Sequence, residues 1–216
     1  MVRILGEGNS LLSQYIYELR DKSIQLDRLR FRRNLERIAE IFAYEISKDL
    51  LYEVKSVETP LGVAEVPVLA NQPVIASVMR AGLPMHQGLL NYFDKAENAF
   101  ISAYRKYGKD GTFKIQFEHL SCPAIGGKNL IIADPMLATG SSMVLAYRAL
   151  IERGIPVHTH IASIIASKEG VEFVKRNLPS NACTLWLGAV DDELTMKSYI
   201  VPGLGDAGDL AYGSKM

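Results

Sequence analysis

Cysteine is scarce in this chain of 216 residues: Cys122 and Cys183 are the only two, and they lie in no paired motif. That excludes a disulfide framework and leads us to expect reduced thiols in a cytoplasmic protein. No run of about 18 apolar residues occurs, so no membrane-spanning helix is expected. The first residues, Met1 to Gly6, contain no secretory hydrophobic region. An excess of one charge is missing too: 24 basic and 24 acidic residues leave a formal net charge of zero. Nothing global therefore points to a nucleic acid as partner. Repeats and low-complexity tracts are absent, as are the Gly-Lys-Ser/Thr phosphate loop and the dinucleotide pattern Gly-x-Gly-x-x-Gly.

What is present is a chain that is 48% hydrophobic, enough for one sizeable core and one domain over residues 1–216. Residues 129–144 are its most informative stretch. Leu130 to Ala133 are an unbroken apolar run, which predicts a buried parallel strand covered on both faces. Asp134 ends the run, and Pro135 is expected to stop its pairing. Ala138-Thr139-Gly140-Ser141-Ser142 follows, and Val144, Tyr147 and Ile151 then recur at helical spacing up to Gly154 and Pro156. Strand, carboxylate, small-residue loop and helix, in that order, make an anion site. The first N–H groups of a helix have no internal partner and that end is positive. Gly140 permits close backbone approach, while Thr139, Ser141 and Ser142 add hydroxyls. Asp134 would repel a phosphate, so it is expected to face ribose hydroxyls or a metal. An N-capped turn without a ligand has the same local pattern.

Other segments repeat this logic. Residues 73–79 read as a second buried strand ending in Arg80-Ala81-Gly82, with a helix from 85 to 93. Two strands that each deliver a polar group and a glycine to their carboxyl ends suggest one shared crevice. A third strand at 100–104 leads through a glycine turn to a return strand at 112–117, a hairpin able to close as a lid. Residues 157–166 and 184–190 are further strands, with a helix capped by Ser167 between them. His158 and His160 share one strand face without a third metal ligand in view. Trp186 reads as core. At the start of the chain, Asn9-Ser10 can cap a helix bearing Leu12, Ile16 and Leu19. A longer helix over 25–50 carries Arg28, Arg30, Arg32, Arg33 and Arg37, with Glu36 and Glu40 as ion-pair partners. A subunit contact, an effector site or RNA binding are the other readings of that basic face. Residues 52–72 form a hairpin around Thr59-Pro60-Leu61-Gly62. The tail, 199–209, has glycines at 203, 205 and 208 and Pro202, and is expected to be a shaped loop, neither helix nor strand.

Three of these motifs are similar to those of uracil phosphoribosyltransferases, within the type I phosphoribosyltransferases: Met79-Arg80-Ala81-Gly82-Leu83, Asp134-Pro135-Met136-Leu137-Ala138-Thr139-Gly140, and Pro202-Gly203-Leu204-Gly205-Asp206-Ala207-Gly208-Asp209. Two departures stand out. Pro135 replaces the second acidic residue of most type I relatives, and Ser141 replaces a glycine usual in the uracil enzymes. The resemblance covers nearly the whole chain and implies an α/β fold, a mainly parallel sheet flanked by helices, with a β-hairpin hood over 98–120. It also implies an N-terminal helical arm over 1–50, used in dimerisation, and a catalytic core over 73–216. The implied reaction joins uracil to 5-phosphoribosyl-1-diphosphate (PRPP), giving UMP and diphosphate, with Mg²⁺ carried by PRPP and no dedicated protein metal site. Arg80, Arg105, Asp134 to Ser142 and Asp206 would bind PRPP, with Asp134 and Arg105 catalytic. Ile200, Gly205, Asp206 and Ala207 would read uracil. A homodimer or higher homo-oligomer is expected, with no nucleic acid and no membrane as partner. A different base acceptor, or a PRPP- or UMP-sensing regulator that binds RNA, are the competing readings.

Overall fold

The computed structural model describes the backbone of residues 1–107 and 113–214, and the side chains of those residues except 103–118. In chain order the elements are β1 (Val2–Ile4), a short 3-10 turn (Leu5–Glu7), α1 (Leu11–Arg20), α2 (Arg28–Ser47), β2 (Tyr52–Thr59), β3 (Gly62–Leu69), β4 (Val74–Met79), α3 (Leu83–Leu90), β5 (Glu97–Tyr107), β6 (Phe113–Ser121), β7 (Asn129–Ala133), β8 (Met136–Leu137), α4 (Ser141–Ile151), β9 (His158–Ser167), α5 (Lys168–Asn177), β10 (Cys183–Asp191), β11 (Glu193–Leu194), β12 (Ile200–Val201) and α6 (Ala207–Tyr212). The main sheet runs β1-β10-β9-β7-β4-β5-β6, with β8 also on β9. Its pairs are parallel except β5 with β6, so the mainly parallel sheet read from the sequence is what forms.

Both faces of the sheet are covered, which is why its central strands are buried and mostly apolar. Alternation within β4 shows the division. Ile75 packs with α1, α2 and α3 on one side, through Leu19, Leu35, Ile38, Phe42 and Met85. Val74, Ala76 and Val78 pack on the other with α4 and α5, through Val144, Tyr147, Leu150 and Val174. The long helix begins at Arg28 because the Asp27 carboxylate accepts from the N–H groups of Leu29 and Arg30, both at 3.0 Å. Its stripe Phe31, Leu35, Ile38, Phe42 and Ile46 is fully buried, so this helix belongs to the core. The element that stands clear is the β2–β3 hairpin. Its strands pair with each other in a separate two-stranded sheet, and every residue of β2 is exposed.

Most arginines of α2 have partners inside the chain. Arg30 pairs with Glu18 and Arg33 with Glu36. Arg32 donates to the Ala211 carbonyl at 2.7 Å and Arg37 to Asn34. Glu40 accepts from Asn91. Trp186 is fully buried, as expected, and its Nε1–H donates to His160 Nδ1 at 3.1 Å. His158 is bonded to the Thr184 hydroxyl. The two histidines therefore serve the packing of β9 on β10.

Connectivity positions the site. The chain leaves β4 towards β5 on one side of the sheet and leaves β7 towards β9 on the other. β4 and β7 are themselves neighbours, with Ser77 opposite Ala133. At such a switch point the loops diverge and a crevice opens above the carboxyl ends of the strands.

Candidate active site

A cavity of about 510 Å³ occupies that crevice, within the usual size range for small-molecule sites. Met79, Arg80 and Ala81 line it from the end of β4. Asp134, Met136 to Gly140 and Ser142 line it from the segment after β7. Tyr199, Ile200 and Gly205 to Gly208 line it from the tail. The two strands singled out by their polar ends thus deliver Arg80 and Asp134 to one cavity.

The wall after β7 is local structure. Gly140 is the N-cap of α4 at φ +77, a backbone that glycine adopts without strain. A Cβ there would lie 2.8 Å from the Gly170 carbonyl oxygen and 3.0 Å from Val174 Cγ2 of α5. A larger residue would consequently disturb the loop from behind, against α5. Ser141 and Ser142 open α4, so their N–H groups have no partner inside the helix. Ser142 is on the cavity wall, while Ser141 is off it, its hydroxyl accepting from Thr139 at 3.2 Å.

Pro135 lies off the wall as well, and it does not end the pairing as expected. Its carbonyl accepts from the N–H groups of Ile164 and Ile165, at 3.1 and 3.0 Å, and the ladder on β9 resumes as β8. Proline lacks a donor, but its acceptor is all this connection uses. The Asp134 carboxylate stays at the strand end, its backbone N–H bound to Ala162 and one oxygen 3.3 Å from the Met136 N–H.

The facing wall is assembled over long distances, and here the expectation of a wholly irregular tail is corrected. Ile200 and Val201 pair with Leu194 and Glu193, and Ala207–Tyr212 is a helix. Local chemistry explains the helix: Asp206 is its N-cap, accepting from the Asp209 N–H at 2.9 Å. Ala207 and Gly208, the next two residues, hold N–H groups without an internal helical partner beside the cavity. The loop before α6 is held by Arg20, which forks onto Asp191 with both contacts at 2.7 Å and donates to the Gly203 carbonyl at 2.9 Å. Asp191 in turn accepts from the Gly203 N–H at 2.8 Å. Burial pushes the Asp191 carboxyl up, but Arg20 and the Gly203 N–H outweigh it and hold the group below its ordinary range.

Arg80 ties the end of β4 to the C-terminal segment. Its Nη2 donates to Asp209 at 2.9 Å and its Nη1 to the Gly213 carbonyl at 3.1 Å, both on the tail. Arg105 lies on β5 opposite Ile115 of β6, in the hairpin read as a hood, and its side chain falls outside the described residues. Sequence reasoning missed Arg20, Asp191 and Asp209. Arg20 and Asp191 are ordinary charged residues until the fold brings them to the tail, and Asp209 is one until the fold brings Arg80 to it. The Asp206-x-x-Asp209 spacing ahead of Leu210 and Ala211 was the one available signal, a cap at the start of a short helix.

Comparison with known proteins agrees with this geometry. Residues 8–214 match the family model described as uracil phosphoribosyltransferase. A uracil phosphoribosyltransferase of Porphyromonas gingivalis is 56% identical over 212 residues, covering 98% of each chain. One from Pyrococcus furiosus is 35% identical over 210 residues, covering 96% of this chain and 88% of that protein. Among solved structures, a protein of Aquifex aeolicus superposes with a TM-score of 0.85 at 28% identity, over 99% of this chain and 98% of that one. A hypoxanthine phosphoribosyltransferase of Staphylococcus aureus shares the fold, with a TM-score of 0.50 at 14% identity over 76% of each chain. With Asp134, Arg80 and the 199–209 tail converging on one cavity, and with these matches along its whole length, the chain belongs to the uracil phosphoribosyltransferase family.

Proposed function

We propose a division of labour within the cavity for the reaction of this family. The enzyme transfers the phosphoribosyl group of PRPP to uracil, giving UMP and diphosphate, a step of pyrimidine salvage. One observation carries the assignment: two neighbouring strands, β4 and β7, bring a guanidinium and a carboxylate to one crevice whose opposite wall is the glycine-rich tail. The loop from Ala138 to Ser142 holds the 5′-phosphate on backbone N–H groups at the start of α4. Asp134 faces the ribose, where its charge steadies the positive character that develops at the anomeric carbon. Arg80 and Arg105 receive the departing diphosphate. Met136 and Leu137 supply the floor between, and Pro135 and Ser141 act from behind it, as supports. Holding both reactants in line supplies much of the rate, and no covalent nucleophile is required.

Uracil is read by backbone. Its O2 and O4 accept and its N3–H donates, which suits N–H groups at Gly205 and Ala207 and the carbonyl of Ile200. Asp206 lies between the two ligands, its carboxylate already shaping the start of α6. Mg²⁺ suits this site as a passenger of PRPP. No group of three His, Cys, Asp or Glu among the described residues is close enough to hold a metal. Asp134 and Asp206 are carboxylates on the wall, and Mg²⁺ typically binds through one or two carboxylates together with substrate phosphates. When bound, the ion neutralises charge on the leaving diphosphate.

No described helix is long and apolar enough to cross a membrane. Together with two free cysteines, this supports a cytoplasmic enzyme. A homo-oligomer is supported by the β2–β3 hairpin. An isolated two-stranded hairpin is marginal in water, and this one exposes Val54 at 67%, Leu61 at 100% and Val63 at 72%. A second copy of the chain covering it would bury that surface, and sedimentation equilibrium reads the outcome directly.

The function is tested by product formation from labelled uracil and PRPP, with cytosine, adenine and hypoxanthine at the same concentration. A backbone site discriminates against the wrong donor–acceptor pattern by roughly 10⁴. Cytosine at a rate comparable to uracil, or a preference for a purine, would remove the uracil reading and leave only the PRPP half.

A further inference from the structure

We infer that Asp209 is a positioning residue for phosphoribosyl transfer: its carboxylate orients the Arg80 guanidinium for the diphosphate and, through α6, ties that orientation to the base-reading tail. The inference rests on the assignment of Arg80 to PRPP made above.

The Arg80 side chain emerges from the end of β4 at the mouth of the cavity and is one-third exposed. Its Nε–H is buried and has no partner among the described residues. What sets the guanidinium plane is the pair of contacts at its tip, and both belong to the tail: Nη2 to Asp209 and Nη1 to the Gly213 carbonyl. Asp209 is itself pinned, because its N–H is bound by the Asp206 carboxylate. Gly208 lies under this junction. A Cβ there would be 3.2 Å from Asp206 Oδ1 and 3.7 Å from Arg80 Nη2. Asp206, Asp209 and Arg80 thus form one chain of contacts linking the end of β4 with the wall proposed to read uracil.

The chemistry of the pair suits positioning. A guanidinium carries five N–H donors in a rigid fork. The two contacts to the tail use one hydrogen on each Nη and leave others for an anion on the cavity side. Without the carboxylate the charge of Arg80 remains, but its planar fork is free to rotate about a long side chain. The expected loss is therefore in binding and alignment, and it passes through Arg80.

A double-mutant cycle tests this. The PRPP dissociation constant is measured by calorimetry in the presence of Mg²⁺ for wild type, Arg80→Met, Asp209→Ala and the double variant. Asp209→Ala should weaken PRPP by about tenfold, in the range of a charge-assisted contact. In the Arg80→Met background the same change should cost less than about twofold. Asp209→Glu should recover most of the loss, and Asp209→Asn, which keeps the shape at the start of α6, should fall between. An equal loss in both backgrounds would mean that Asp209 only stabilises α6, and would overturn the inference. Unchanged or tighter PRPP binding by Asp209→Ala would overturn it too, showing the carboxylate idle or competing with the diphosphate. If Arg80→Met itself leaves PRPP affinity unchanged, the assignment of Arg80 fails, and this failure is seen separately from that of Asp209.

Discussion

Between Asp134 and Ser142 the cavity wall is one continuous stretch of chain, whereas the wall at 199–208 and the helix that follows it are held by Arg20, Asp191, Arg80 and Arg32, which come from four other places in the fold. The first wall follows from local rules. A strand ends, a glycine takes positive φ, and a helix begins with unpaired N–H groups. The second wall has local features of its own, including the Asp206 cap, but its position against the cavity depends on ion pairs between residues far apart in sequence. The difference matters for catalysis. In the proposed division of labour the phosphate end is a fixed anchor, and short-range structure suffices for that. The base end, on the same proposal, presents backbone groups at set distances from the ribose, so it has to be registered against the rest of the molecule.

This contrast can be broken most severely at Asp191. Asp191→Ala leaves the Arg20 guanidinium without its partner and frees Gly203. Removing one member of a buried ion pair typically costs about 3–5 kcal/mol. With the Arg20 side chain 24% exposed, the lower end, about 3 kcal/mol, is expected. Denaturant unfolding measures it, and the KM for uracil should rise more than the dissociation constant for PRPP. Equal effects on both ligands would mean that the two walls are not independently held.

Asp134→Asn sharpens the comparison from the other side. It keeps the shape of the phosphate wall and removes its charge. We expect kcat to fall roughly 10²-fold, about 2.7 kcal/mol of barrier, with melting temperature and PRPP binding little changed. Steady-state kinetics and a thermal melt together check this. Turnover at the wild-type rate would put the chemistry elsewhere.

At neutral pH the smallest effect lies away from the cavity. Burial first, and then His158 beside it, lower His160 from 6.5 to about 4. The unfolded chain takes up that proton before the folded protein does. The contribution of His160 is thus complete above about pH 6.5 and declines by about 1.4 kcal/mol per pH unit towards pH 4. Asp49 opposes the shift and Arg3 adds to it. His160→Gln keeps an acceptor for Trp186 and should flatten the acid limb of a stability–pH curve. An unchanged slope would show that other groups dominate it. Activity at neutral pH should be unaffected by this variant, unlike the two before it.

Much of the architecture was legible in the sequence. Apolar runs such as Leu130–Ala133 and 73–79 read as buried parallel strands because both faces of a covered sheet need apolar side chains. The loop proposed to hold the phosphate was legible for the same kind of reason, since every feature that makes it lies within a few residues. The tail was only half legible. Its glycines were visible, but its short strand and helix were not expected: a two-residue strand forms only when its partner, Glu193–Leu194, is placed beside it. Pro135 misled because a missing donor was taken for a missing pair.

What the sequence by itself determined, then, is the long strands and helices, the carboxylate and guanidinium at two strand ends, and the family motifs that identify the reaction. The tertiary structure alone decided that β4 and β7 are neighbours, that Arg80 reaches Asp209 and Gly213, and that Arg20 and Asp191 grip Gly203. The physical reason is range. Strand, cap and turn preferences act over a few residues, whereas an ion pair between positions 20 and 191 exists only after the sheet order has brought their backbones together.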